Sequence, residues 1–144
     1  MELFYLHKVY MMNYKNAYTF GKMNEARLKP ILEKYFNTTL EMPSYRYCKY
    51  DYYDEKIEIE LKSRKIMSDR YNTYHLGKGK IDYAQTSNKK FFIVLNFTDK
   101  IMVCDYNKNK EEIDNLEGKE IHLVRGGTCV NIEIPRQLFC EVIV

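Results

Sequence analysis

From Lys56 to Lys62 the chain alternates, with Ile57, Ile59 and Leu61 on one side and Glu58, Glu60 and Lys62 on the other. A period of two marks a strand with one face in a core. The tyrosine-rich stretch before it, Tyr45 to Tyr53, is also strand-like, and Asp54-Glu55 between them predicts a hairpin turn, without the favoured glycine. Upstream, residues 18–36 place Leu28, Ile31, Leu32 and Tyr35 at helical spacing, which predicts a helix with one core stripe. Thr19 or Asn24 would cap its start. Pro30 predicts either a kink or the first turn of a second helix. Residues 1–15 fit helix and strand equally.

Further along, Thr38 to Met42 reads as a strand ended by Pro43, and residues 66–79, polar with Gly77 and Gly79, as a loop. Lys80 to Ser87 predicts a short helix with Ile81 and Ala84 inward. Phe91 to Phe97 is a continuous apolar run, the mark of a strand buried on both faces. Ile101 to Tyr106 is a further strand and residues 107–119 a charged loop. His122–Val124 and Val130–Ile134 are short strands around the turn Arg125-Gly126-Gly127, and the apolar stretch Leu138–Val144 ends the chain. The order of helix, strands, helix, strands predicts a mixed α/β fold around a central sheet. A length of 144 residues predicts one domain, able to bury a core without disulfides or metal.

Composition narrows the picture. Hydrophobic residues at 45% and charged residues at 30% exclude a disordered chain. No apolar run approaches membrane-spanning length, so no membrane partner is expected. The stretch MELFYLHKVYMM lacks the basic start and small-residue cleavage site of a signal peptide. Cys48, Cys104, Cys129 and Cys140 form no CxxC pair, which argues against zinc or iron–sulfur ligation. Three of them sit in apolar strand-like runs and read as buried thiols of a reducing intracellular compartment, cytoplasm or nucleus. His7, His75 and His122 are scattered, and no serine or cysteine sits in a glycine elbow.

The net charge of +3 is weak evidence for a polyanionic partner. Lys62, Arg64, Lys65 and Arg70 crowd together, followed by Lys78, Lys80, Lys89 and Lys90; such a run is either a solvated face or a phosphate track. The 14 tyrosines line a half-buried sheet or, beside lysines, meet nucleic acid.

Three (D/E)-x-K tripeptides occur: Asp54-x-Lys56, Glu60-x-Lys62 and Glu117-x-Lys119. Short matches arise readily by chance, so context must separate them. Only Glu60-x-Lys62 lies on an alternating strand, with Asp51 on the preceding strand and Glu25 on the upstream helix. The series Gly21-x-x-x-Glu25, Asp51, Glu60-x-Lys62 resembles the PD-(D/E)xK nuclease superfamily, which includes Holliday-junction resolvases, phage-type exonucleases and restriction endonucleases. The resemblance covers about residues 18–97. It departs from the pattern at Tyr50, where the family name has proline, and at Arg46-Tyr47-Cys48-Lys49, which replaces an apolar stretch.

The resemblance implies a restriction-endonuclease-like αβββαβ core in about residues 18–97, a mixed sheet flanked by helices, with residues 98–144 as a C-terminal β extension. It implies a metal-dependent nuclease acting on DNA, with Mg²⁺ or Mn²⁺ held by Asp51, Glu60 and the Leu61 carbonyl, and a second ion through Glu25. Lys62 would assist the attacking water. Arg64, Lys65, Lys78, Lys80 and Gln85 would meet the nucleic acid, as would Tyr71 and Tyr74, mostly along its backbone. A second copy of the chain is a further candidate partner. Rival readings are an RNA nuclease and a non-catalytic nucleic-acid-binding or assembly module.

Bland alternatives stand beside these. Glu60 and Lys62 would form a surface pair on a solvated sheet face, and Glu25 a solvated helix charge. Lys78 and Lys80 would belong to a flexible basic loop. The aspartate of the site depends on hairpin register. If Tyr52 faces Ile57, then Asp51 shares a face with Glu60 and Lys62; if Tyr52 faces Glu58, Asp54 does instead. The first register needs a four-residue loop, Tyr53 to Lys56, without positive φ, and keeps a carboxylate out of the apolar side. It is therefore the one expected.

Overall fold

The computed structural model describes residues 2–45, 47–124 and 126–143, with the backbone alone described for residues 2–18. Helix α1 spans Glu2–Phe36 and contains Pro30, so no second helix begins at the proline. Thr19 and Asn24 lie inside α1 and not at its start. Leu28 and Leu32 are fully buried, whereas Tyr35 is exposed and drops out of the expected stripe. Asn24 takes its place as a polar tie: its Nδ2 donates to the Phe20 carbonyl (2.8 Å), and its Oδ1 accepts from Asn96 Nδ2 (3.2 Å). The helix stops because Asn37 adopts a left-handed φ of 52°. The N–H groups of Asn37 and Thr38 then donate back to the carbonyls of Lys34 (3.3 Å) and Glu33 (3.1 Å), satisfying carbonyls that the helix end leaves open.

Strands β1 (Tyr52–Tyr53) and β2 (Ile57–Ser63) form the expected hairpin, but β1 is only two residues long. Residues 38–42 contribute a single bridge, Glu41 to Tyr53, where a strand was expected. The polar stretch expected as a loop holds β3 (Thr73–Gly77) and leads without a break into α2 (Lys78–Thr86). Only two residues of β3, Tyr74 and Leu76, are buried, which is why so faint an alternation passed for a loop. Then follow β4 (Lys90–Asn96), β5 (Ile101–Asp105), the short helix α3 (Lys110–Asp114) in the expected charged loop, β6 (Lys119–His122) and β7 (Thr128–Pro135). A 3₁₀ turn at Arg136–Leu138 and β8 (Cys140–Glu141) complete the chain. Gly126 and Gly127, at φ of 94° and 81°, make the turn between β6 and β7.

The fold is mixed α/β. Instead of one central sheet there are two: a five-stranded mixed sheet in the order β1-β2-β4-β5-β8, and a three-stranded sheet in the order β3-β7-β6. β2 and β4 run parallel, joined by the β3–α2 crossover, while β4–β5 and β1–β2 are antiparallel. One face of the large sheet, with Tyr52, Ile59, Leu61 and Val94, packs on Leu28 and Leu32 of α1. The other face, with Phe91, Ile93 and Leu95, packs on Ile81 and Ala84 of α2 and on the small sheet through Tyr74, Leu76, Ile132 and Ile134. β4 is covered on both sides, as its unbroken apolar run predicts.

Candidate active site

The polar face of β2 is not solvated. In the parallel register Glu58 lies beside Phe91, Glu60 beside Ile93 and Lys62 beside Leu95, so this face belongs to the layer under α2. Glu58 is 3% exposed and Glu60 1%. The surface-pair alternative for Glu60 and Lys62 is thereby removed.

The register also differs from the expected one. Tyr52 faces Ile59 and Tyr53 faces Glu58. The paired ladder stops at Tyr52, and Asp51 lies just past its end, against the edge of β2 between Ile59 and Leu61. A slip of two residues preserves the side on which each paired residue falls, so Tyr52 stays on the Ile59 face. The slip has a cause in the turn. Asp54 Oδ1 accepts from the N–H groups of Lys56 (2.7 Å) and Ile57 (2.8 Å), and Oδ2 accepts from the Thr38 hydroxyl (2.6 Å). An aspartate that bonds the backbone two residues on builds a tight turn by itself. It pulls Asp54 into the ladder opposite Ile57, the Asp54 N–H donating to the Ile57 carbonyl (3.0 Å). Asp54 is thus the turn residue, and Asp51 is the aspartate whose charge bears on Glu60.

Asp51 is held where β1 leaves the sheet. Its N–H donates to the Ile59 carbonyl and its Oδ2 accepts from the Leu61 N–H, both at 2.7 Å. The N–H and C=O of one strand residue leave by the same edge. The Leu61 carbonyl therefore points to the edge of β2 where Asp51 sits. Tyr52 anchors this arrangement from the opposite face: it is fully buried and its hydroxyl donates to the Glu25 carbonyl of α1. Burial, reinforced by nearby Glu25 and Asp51, pushes its phenol up to about 12.

Glu25 and Glu60 both feel the charges of Asp51 and Lys62, and Lys80 joins through Glu60. Burial first, and then the charge of Asp51, push the Glu60 carboxyl up to about 7, against the opposing pull of Lys62 and Lys80. Glu25 is raised by the same two causes in the same order, with Lys22 and Lys62 opposing. Lys62 Nζ lies 3.4 Å from Glu60 Oε1, and Lys80 Nζ 3.0 Å from Oε2. Lys80 is thus the partner of the buried Glu60 Oε2, and among the described residues no hydroxyl or backbone donor joins it there. Glu25 and Asp51 line a cleft of about 290 Å³ walled by Met42, Tyr45, Tyr47 and Tyr50.

The expected nucleic-acid residues divide. Lys80 is no loop residue. It lies in the first turn of α2, a turn without acidic residues, where a cation is disfavoured by the helix dipole. Glu60 offsets that cost, and Lys80 joins the site. Lys78 pairs instead with Asp82 at 2.7 Å on its own helix. Gln85 does not reach the site: its Nε2 donates to Asp114 Oδ1 (3.0 Å) at the end of α3. Arg64 is exposed just past Lys62, and Lys65 lies over the Phe20 ring at 4.5 Å from its centre. Tyr74 is buried, with its hydroxyl donating to the Ser68 carbonyl (2.8 Å), and has no free face for a backbone contact. Of the cysteines only Cys104 is buried; Cys48 and Cys129 are half-buried and Cys140 is exposed.

Asp51, Glu60 and Glu25 are hard-oxygen donors by chemistry, the type Mg²⁺ and Mn²⁺ take. Mg²⁺ keeps several waters and needs only one or two carboxylates. A cation beside Asp51 would relieve the electrostatic crowding of Glu60. Among the described residues no three His, Cys, Asp or Glu side chains are drawn together into a ready-made cage. No helix among them is long and apolar enough to cross a membrane. Compared with protein-family models and with curated proteins, the chain finds no match.

Proposed function

We propose that the chain is a metal-dependent nuclease that hydrolyses DNA phosphodiester bonds, acting as an endonuclease. The observation that carries this reading is the electrostatic meeting of Glu25, Asp51, Glu60 and Lys62, with Glu60 buried and crowded by Asp51. Carboxylates perturbed by burial and by a neighbouring like charge cluster at functional sites. The order Glu41 bridge, β1, β2, β4, with α1 on one face and α2 on the other, supports a restriction-endonuclease-like core.

Asp51 and Glu60, with the Leu61 carbonyl, would hold Mg²⁺ or Mn²⁺, and Glu25 would hold a second ion or its water. Bound there, the ion supplies Lewis acidity to the phosphoryl oxygen and lowers the pKa of an attacking water. Lys62 has 43% of its side chain exposed while its ammonium stays against Glu60, so it both reaches the substrate and keeps its place. From there it steadies negative charge as it develops on the phosphoryl oxygens. Lys80 opposes, from inside the protein, the upward push that burial and Asp51 exert on the Glu60 carboxyl. Arg64 and Lys65 follow Lys62 along the chain and meet the flanking phosphates.

Labelled duplex, single-stranded, branched and RNA substrates, incubated with Mg²⁺ or Mn²⁺ and with EDTA, test the reading. Metal-dependent cleavage of DNA that Lys62→Ala abolishes is the expected result. Cleavage confined to RNA transfers the mechanism to that substrate. Binding of equal strength in EDTA and Mg²⁺, with no cleavage of any substrate, rejects it in favour of a binding module.

A further inference from the structure

A second cavity, of about 450 Å³, adjoins the site at the end of β2 and β4. Its position follows from register. Leu95, on its wall, is the β4 partner of Lys62, and Arg64, also on its wall, lies two residues past Lys62. At the rise of an extended chain that separation is about 7 Å. The inner wall is apolar, formed by Ile66, Leu95 and Phe97.

The outer wall is the edge of a strand. Thr73, Tyr74 and His75 all touch the cavity. Consecutive strand side chains point to opposite faces, so three in a row can share a cavity only along the strand edge. β3 is the outer strand of the small sheet and its other edge is paired with β7. An unpaired edge presents backbone N–H and C=O groups in turn. The cavity therefore combines a flat apolar wall, a line of backbone donors and acceptors, and at its mouth the Arg64 guanidinium and the exposed ring of Tyr71.

That combination fits a planar heterocycle with hydrogen-bonding edges, attached to a strand whose phosphates lie at Lys62 and Arg64. We infer that this groove takes an unpaired nucleobase next to the scissile phosphate, so that the substrate is single-stranded or locally splayed nucleic acid; the inference rests on the nuclease reading of the adjoining site. A base stacked in a duplex cannot enter, because both its edge and its faces are occupied. To contacts mostly along the backbone, this adds one base contact per bound strand.

The test uses the full chain with Ca²⁺ in place of Mg²⁺, and a short fluorescein-labelled oligodeoxynucleotide in which one abasic position is walked along the strand. Binding is read by anisotropy, with a duplex of the same sequence alongside. One abasic position should weaken binding about tenfold or more, the scale of a lost base–side-chain stack, and the others much less. The single strand should bind more tightly than the duplex. Ile66→Trp, which fills the groove, and Tyr71→Ala, at its exposed mouth, should each erase the dependence on that position. Circular dichroism checks that the first is folded, and the second decides if it is not. The same series in RNA identifies the sugar of the preferred strand.

A strand bound with no position-dependent loss overturns the groove and leaves the nuclease reading to its own test, the Lys62-dependent cleavage. A loss that both variants leave intact places the base elsewhere and also overturns it. Failure to bind any nucleic acid removes both readings together.

Discussion

Glu58 and Glu60 are two residues apart on the same buried face of β2, and they have opposite fates. Glu58 accepts from the hydroxyls of Tyr83 and Ser87, both from the α2 region, so each of its oxygens has a directed donor. Glu60 has two ammoniums beside it and the charge of Asp51 crowding it from just outside β1. A buried carboxylate with neutral hydroxyl partners is a lock between layers. One held by ammoniums with another carboxylate nearby has the charge environment of a site that takes a further cation. Burial alone does not distinguish a structural acid from a functional one; the kind of partner does.

The comparison breaks most sharply on activity. If the Glu60 end is the site, Lys62→Ala and Glu60→Gln should each lower cleavage by at least about 10²–10³-fold, the scale of losing one charge-stabilising group, with far-UV circular dichroism unchanged. Glu58→Ala should leave the specific activity of folded protein near wild type. Equal losses from both ends would erase the distinction drawn here.

Stability should show the reverse order. Glu58→Ala leaves the Tyr83 and Ser87 hydroxyls without their acceptor under α2, which costs roughly 2–3 kcal/mol. Urea denaturation should show a lower midpoint with an unchanged slope. A midpoint equal to wild type would mean that Glu58 locks nothing.

A pH series sharpens the Glu60 end. The Glu60 carboxyl ordinarily titrates near 4.5 and is pushed up to about 7 in the fold, by burial first and Asp51 second. Between those values the folded state holds a proton that the unfolded state has lost, so metal-free stability falls as pH rises through this window. Gln cannot ionise. The melting temperature of Glu60→Gln minus that of wild type, both in EDTA, should therefore grow by several degrees from about pH 5 to pH 8. Glu25 shifts in the same direction but is present in both proteins. A constant difference across the range would refute the crowding.

The smallest effect concerns the turn. Asp54→Ala removes the acceptor of the Lys56 and Ile57 N–H groups and of the Thr38 hydroxyl. A loss of about 1–2 kcal/mol is expected, with cleavage retained once the protein is folded. Asp51→Ala should lose cleavage, at a stability cost no larger than that of Asp54→Ala because it removes the acceptor of one N–H, that of Leu61.

The residues themselves determined a good deal. The alternation of residues 56–62, the apolar run of residues 91–97 and the helical spacing of Leu28, Ile31 and Leu32 each name an element, because a side-chain period is a local property of the backbone. The parity that puts Glu60 and Lys62 on one side of β2 and Ile59 and Leu61 on the other is also local, and a register slip of two leaves it unchanged. The length of the turn was readable in principle from Asp54, whose carboxylate reaches the backbone just beyond it. Only the tertiary structure decided what covers that side. Alternating charge looks the same in sequence whether water or a helix lies above it. The crossover through β3 and α2 brought Lys80 over Glu60, took Gln85 away to Asp114, and buried two carboxylates that the pattern alone would leave in solvent. Those placements depend on contacts between distant segments, which no local period records.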